Sequence, residues 1–87
     1  MEEKYVRVIF EQNDGSFNKR KIYEYKDDTP EGLKVGNLAR VWAEDWFTGE
    51  YELQTVQVIE IDVPKEDLKY HGSIKSIKTI YKSDIND

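Results

Sequence analysis

Three groups of side chains have the types and spacing that chemistry asks for. Glu44-Asp45 and Glu50-x-Glu52 bring four carboxylates close together in the chain, and Asp27-Asp28 adds a second pair. Paired carboxylates act as acid and base, or hold a hard cation, when a pocket raises one pKa or converges several oxygens. Both groups fall in turn-rich sequence, where carboxylates are solvated, so they read as surface. His71 is the only histidine and stands two residues before Ser73 in Tyr70-His71-Gly72-Ser73. Residues this near in sequence seldom face each other, and no third group completes a nucleophilic triad, so His71 reads as a loop residue. Glycines at 15, 32, 36, 49 and 72 form neither a dinucleotide fingerprint nor a phosphate loop and read as turn formers. The chain has no cysteine, which excludes disulfides, thiolate metal sites and a cysteine nucleophile. The expectation is a protein that is not an enzyme, with no cofactor and no metal site.

Charge is unevenly distributed. Net charge is −5, which argues against avid binding to a phosphate backbone. Residues 24–62 carry ten acids against three bases, whereas residues 63–82 carry five lysines against two acids. A basic side built from Lys19, Arg20, Lys21, Lys75, Lys78 and Lys82 follows from that asymmetry. Lysines on edge strands also blunt aggregation, which is the plainer reading of the same residues.

These side chains need a scaffold, and 87 residues give a single small domain. Short alternating runs separated by Gly, Asn, Asp and Pro indicate strands. The first run is Lys4 to Gln12, with Val6, Val8 and Phe10 on one face and Tyr5, Arg7 and Ile9 on the other. Asn13-Asp14-Gly15-Ser16 is a turn, and the second run is Phe17 to Lys26. A two-residue turn there pairs Val6 with Tyr23; a slip by one pairs Val8 with Ile22. A loop from Asp27 to Gly32 and a turn at Leu33–Asn37 lead to a strand from Leu38 to Phe47. Thr48-Gly49 then closes a hairpin onto Glu50 to Asp62. With Thr48 and Gly49 as the loop, Val41 faces Val56, Ala39 faces Val58, Ala43 faces Gln54 and Trp46 faces Tyr51. Pro64–Lys69 reads as one helical turn with proline at its first position, stopped by Gly72. Ser73 to Lys82 is taken as a final strand, although isoleucines at 74, 77 and 80 also permit a helix. The predicted fold is all-β. It has five strands in a small SH3-like or oligonucleotide-fold-like barrel over residues 1–82, one helical turn before the last strand, and a frayed tail over 83–87.

The aromatic residues then stand out. Opposite Ala39, Val41, Val56 and Val58, the long hairpin carries Trp42, Trp46, Tyr51 and Leu53, with Phe47 at the tip. One face of a hairpin lines a single barrel core; the other is wet. Rimmed by Glu44, Asp45, Glu50 and Glu52, this second face has the composition of an anchor patch for a protein partner. A second small core, formed by the final strand folding over the hairpin, and a homodimer seam are the alternatives.

Tyr23-x-Tyr25, the run Glu31-Gly32-Leu33-Lys34-Val35-Gly36-Asn37-Leu38-Ala39-Arg40-Val41, the segment Val56-x-Val58-Ile59-Glu60-Ile61 and Lys75-Ser76-Ile77 together resemble small β-barrel proteins common in phages and Gram-positive bacteria. The same residues resemble the amino-terminal DNA-binding barrel of the primosomal replication-restart helicase. The chain departs from that group at Asn37, Ala39, Arg40 and the tryptophan-bearing hairpin, so no functional residue is carried over. The resemblance implies a barrel, a phage or prophage origin, and single-stranded nucleic acid as an alternative ligand for the lysine-rich side. With no apolar run of membrane-spanning length and no signal-peptide pattern at Met1-Glu2-Glu3-Lys4, the expected location is the cytoplasm, that of the host if phage-encoded.

Overall fold

The computed structural model describes residues 3–45, 47–69, 72 and 74–82. Its strands are β1 (Tyr5–Phe10), β2 (Tyr23–Asp27), β3 (Leu38–Glu44), β4 (Tyr51–Glu60) and β5 (Ser76–Ile77), with a 3-10 turn at Lys65–Asp67 between β4 and β5. They form one sheet in the order β3-β4-β1-β2-β5. A bridge between Leu38 and Lys82 brings the last segment back to β3 and nearly closes a barrel. The expected all-β fold, five strands with one short turn before the last, is therefore present. The final strand is far shorter than Ser73–Lys82: β5 is two residues, paired in parallel with Lys26 and Asp27. The 3-10 turn is also shorter than the expected helical turn; Pro64 precedes it and Leu68 ends it.

Alternation places Val6, Val8, Tyr25, Ala39, Val41, Val56 and Val58 inside, where they pack with Leu33 and Ile77. Residues with β-branched side chains suit this pleated, enclosed surface. β1 departs from alternation because it is covered on both faces. Tyr5, on its outer face, packs with Val63, Leu68 and Ile74 in a second cluster. A second core thus exists, but it covers β1 and not the tryptophan-bearing hairpin.

Both predicted hairpin registers are corrected. Val6 pairs with Tyr25 and Val8 with Tyr23, because β2 begins at Tyr23 and not at Phe17. The tip closes tightly, Gln12 N–H donating to Ser16 and Gly15 N–H to Gln12, with Glu11 opposite Phe17. Extra residues then loop out around Asn18–Arg20, where the Asn18 side chain accepts from Arg20 N–H at 3.0 Å. In the second hairpin Ala39 pairs with Val56, Val41 with Gln54 and Trp42 with Leu53. The slip from the expected pairing is two residues, so the side chains from Leu38 to Glu44 and from Tyr51 to Val58 keep their expected faces. It arises because the loop is longer than Thr48-Gly49: Asp45 N–H donates to Glu50 at 2.7 Å and Gly49 N–H to Asp45 at 2.9 Å.

A β-bulge interrupts β1–β4 pairing: Val8 faces Val58, yet Arg7 faces Glu60. The additional residue, Ile59, reverses the alternation of β4 beyond it. Glu60 consequently shares the outer face with Arg7, and Ile61 packs against the main core.

Two polar residues organise the β2–β3 connection. Asp27 ends β2 and is not a free loop carboxylate as expected. One oxygen accepts from Thr29 N–H at 3.0 Å and Thr29 Oγ1 at 2.5 Å, and the other from Leu33 N–H at 2.8 Å. Partial burial pushes this carboxyl up, but the hydrogen bonds from Leu33 and Thr29 outweigh it and hold it below its ordinary value. A depressed carboxyl contributes stability above the unfolded pKa and loses it as pH falls through the folded value. We therefore expect Asp27→Asn, which keeps one acceptor oxygen where two are used, to cost about 1–2 kcal/mol at neutral pH. The difference between variant and wild type should shrink below about pH 4. Urea unfolding at pH 7 and pH 3 measures both; an equal deficit at the two values contradicts the assignment. Buried Asn37 performs the matching task at the next turn, accepting from Lys34 N–H at 2.8 Å. Gly36, at φ +96°, takes the left-handed position that this turn requires.

Candidate interaction surface on the long hairpin

The β3–β4 hairpin carries its apolar inner residues into the barrel and leaves the outer face uncovered. Trp42 is 62% exposed, Leu53 opposite it 46%, Tyr51 61%, and Phe47 near the tip 94%. Tyr51 stands opposite Glu44, two pairs along from Trp42–Leu53, so Trp42, Leu53, Glu44 and Tyr51 share one face. The expected facing pair of Trp46 and Tyr51 is replaced by Glu44 and Tyr51, and Trp46 lies outside the described residues. Of the expected patch, the structure exposes Trp42, Phe47, Tyr51 and Leu53.

The acidic rim is part of how the hairpin is built. The Asp45 carboxylate accepts from Phe47 N–H at 2.7 Å and Thr48 N–H at 3.1 Å, tying down the loop. Glu50 N–H donates to Thr48 Oγ1 at 3.2 Å. Asp45 and Glu52 perturb each other in opposite directions. Their mutual hydrogen bond holds Asp45 low, helped by the Phe47 and Thr48 N–H groups, and the same bond raises Glu52 above its ordinary value. Glu52 is exposed and Asp45 half-buried.

The six predicted cations do not form one side. Lys21 and Lys75 line a broad open concavity of about 1420 Å³, together with Phe10, Tyr23, Phe47 and Tyr51. Phe10 and Tyr23 meet edge to face with centroids 5.0 Å apart. Lys75 Nζ approaches the Tyr51 ring at 5.3 Å, a contact that joins the last segment to the hairpin. The same concavity is lined by Glu11, Asp14, Glu24 and Glu44, so its charge is mixed. Lys19 and Arg20 belong to the looped-out turn after Phe17, Lys78 follows β5, and the Lys82 backbone closes the barrel against Leu38. His71 and Ser73 lie outside the described residues.

Sequence reading missed two pairings and one buried phenol. Arg7 sits between Glu24 and Glu60, with Arg7 Nε 3.3 Å from Glu24 and Nη1 2.9 Å from Glu60. Arg40 stacks its guanidinium over Tyr81 at 3.8 Å. Tyr25, buried beside Tyr23, has its phenol pushed up to about 12 by burial and so stays neutral. Only the first had a local signal, since opposite charges in neighbouring strands invite cross-strand pairing. Among the described residues, no three His, Asp or Glu side chains converge as metal ligands, and no helix is long and apolar enough to cross a membrane. Comparison with protein-family models, curated proteins and solved structures finds no match to this chain.

Proposed function

We propose that the chain is a non-catalytic interaction module, and that the outer face of the β3–β4 hairpin binds a protein surface with an apolar centre and a basic margin. One observation carries this reading: Trp42, Tyr51 and Leu53 stand exposed on one strand face with Glu44, while Asp45, Glu50 and Glu52 belong to the same hairpin end. Exposed aromatic clusters of this kind supply most of the binding energy where they are desolvated, and a charged rim governs association rate and partner choice. The partner's margin is rich in Lys or Arg by complementarity with Glu44, Asp45, Glu50 and Glu52. A host or viral protein whose basic surface otherwise meets DNA has that chemistry.

The test is affinity capture followed by titration calorimetry with the captured protein. Trp42→Ala is expected to weaken binding about 30-fold, the effect of a hot spot of about 2 kcal/mol. Val35→Ala, an exposed residue away from the hairpin, is the control and leaves affinity unchanged. A Trp42→Ala variant that binds as tightly as wild type contradicts the proposal. Raised salt should slow association while leaving dissociation nearly constant.

A second reading, single-stranded nucleic acid, draws on Lys21 and Lys75 sharing the concavity with Tyr51 and Phe47. Stacking on those rings with lysines on phosphate is how such ligands are held. Labelled oligonucleotide anisotropy at low salt distinguishes the two: a change that Lys21→Ala with Lys75→Ala abolishes favours nucleic acid.

A further inference from the structure

β3 is the end strand of the sheet, and among the described residues the backbone bonds on its second side are those at its start. Leu38 N–H donates to Lys82 at 2.8 Å, and Lys82 N–H donates back to Leu38 at 3.0 Å. Leu38 therefore directs both backbone groups away from β4. Along an unbroken strand these directions alternate, so Arg40, Trp42 and Glu44 direct theirs the same way. The intervening residues face β4, as the bonds from Val58 N–H to Asn37 and from Asp45 N–H to Glu50 show. The β3–β4 register runs without a shift from Leu38 to Glu44, so the alternation holds throughout. Among the described residues, no backbone bond covers the outward groups of Arg40, Trp42 and Glu44.

We infer that this edge pairs with a second copy of itself, antiparallel, about a two-fold axis at Trp42. The open positions determine the register. Lys82 already occupies Leu38, so the free edge runs from Arg40 to Glu44, and its centre is Trp42. A two-fold axis there sets Arg40 opposite the second copy's Glu44, Glu44 opposite its Arg40, and the two Trp42 residues opposite each other. All three are hydrogen-bonded positions, each exchanging both N–H···O bonds. The side chains fall on the same outer face, so each Arg–Glu pair is a cross-strand ion pair and the indoles form an aromatic pair.

Charges on an edge strand ordinarily prevent such pairing. Here they favour it, because a symmetry axis at Trp42 converts like-with-like into opposite-with-opposite. Any slip of two residues along the edge loses both ion pairs. The stack of Arg40 on Tyr81 engages the guanidinium carbon over the ring, and stacking by a guanidinium face leaves in-plane N–H donors for other partners. The interface is isologous, as two-fold pairing demands. The inference is independent of any heterologous partner, although it would merge two copies of the aromatic face into one surface.

Sedimentation of wild type, Arg40→Glu and Glu44→Arg tests it without a second protein. Wild type is expected to dimerise reversibly as concentration rises. Each single variant, which sets like charges opposite twice, should weaken the dimer at least tenfold. An equimolar mixture of the two variants should restore it, since one copy then presents two acids and the other two bases. Both positions are exposed, so circular dichroism should show the fold unchanged. Amide exchange supplies a second readout: Trp42 and Glu44 N–H groups should become protected with concentration in wild type and in the mixture only. Three results overturn the inference. They are a monomer up to about 1 mM, a dimer that neither variant weakens, and a mixture no more associated than its parts.

Discussion

Ile77→Ala is expected to lower stability by about 3 kcal/mol, the usual cost of truncating a fully enclosed aliphatic side chain. Ile77 is 1% exposed and packs with Val6, Val8, Tyr25 and Val58 in the main cluster. Its strand is two residues long, so the backbone contributes little to holding it. Lys26 N–H donates to Lys75 at 2.9 Å and Asp28 N–H to Ile77 at 2.9 Å, and the next anchor is the Leu38–Lys82 bridge. Ile77 is thus the side chain that draws residues 74–82 across the barrel opening. Thermal unfolding should move down by about 12–20 °C for a domain of this size. Ile77→Val should cost about 1 kcal/mol, since it leaves a smaller void. Leu38 and Lys82 amides should lose exchange protection in the alanine variant before those of β1 and β4. A shift of only a degree or two would mean that the last segment contributes nothing to closure.

The behaviour of that segment explains why part of the fold was legible and part was not. The alternation of Val6-Val8, Ala39-Val41 and Val56-Val58 is a local signal, and each of those residues lies inside as expected. Isoleucines at 74, 77 and 80 match neither strand nor helix because they serve three surroundings. Ile74 packs on the second cluster, Ile77 fills the main one, and Ile80 packs against the main one from its margin. The bulge at Ile59 is equally hidden, since Val56-x-Val58-x-Glu60 looks like continued alternation until Arg7 is seen opposite Glu60. Hairpin faces survived an error in register because the slip was even; the loop length that caused it depends on the Asp45 side chain capping Phe47 and Thr48. For the candidate surface, exposure of Trp42 followed from strand parity. The approach of Lys75 to Tyr51 did not, because it joins positions 24 apart in sequence that only barrel closure brings together.

Arg7→Met should destabilise the protein by about 3 kcal/mol, the scale of breaking a largely buried pair from one side. An exposed ion pair would give less than about 1 kcal/mol, so the measured value decides which kind of contact this is. The side chains of Arg7 and Glu24 are 17% and 6% exposed, which places the pair nearer the buried limit. Glu24 also accepts from the Lys69 N–H, at 2.9 and 3.0 Å to its two oxygens, so the carboxylate joins Arg7 to the chain after Leu68. Removing the guanidinium also frees the Asp67 carbonyl, which accepts from Arg7 Nη2 at 2.8 Å. Arg7 and Glu24 therefore clasp the chain on both sides of Leu68, and Leu68 is what covers Tyr5 and Val63. Loss of the clasp should loosen the second core selectively, with Leu68 and Lys69 amides exchanging faster while Val56 and Val58 stay protected. Adding Glu24→Gln to Arg7→Met tests the contact between them, and because each single variant already breaks it, the double variant should be more stable than the sum of the single losses by at least about 1 kcal/mol. Strict additivity would show that Arg7 acts through Glu60 and the Asp67 carbonyl alone, and that Glu24 is held by the Lys69 backbone without the cation.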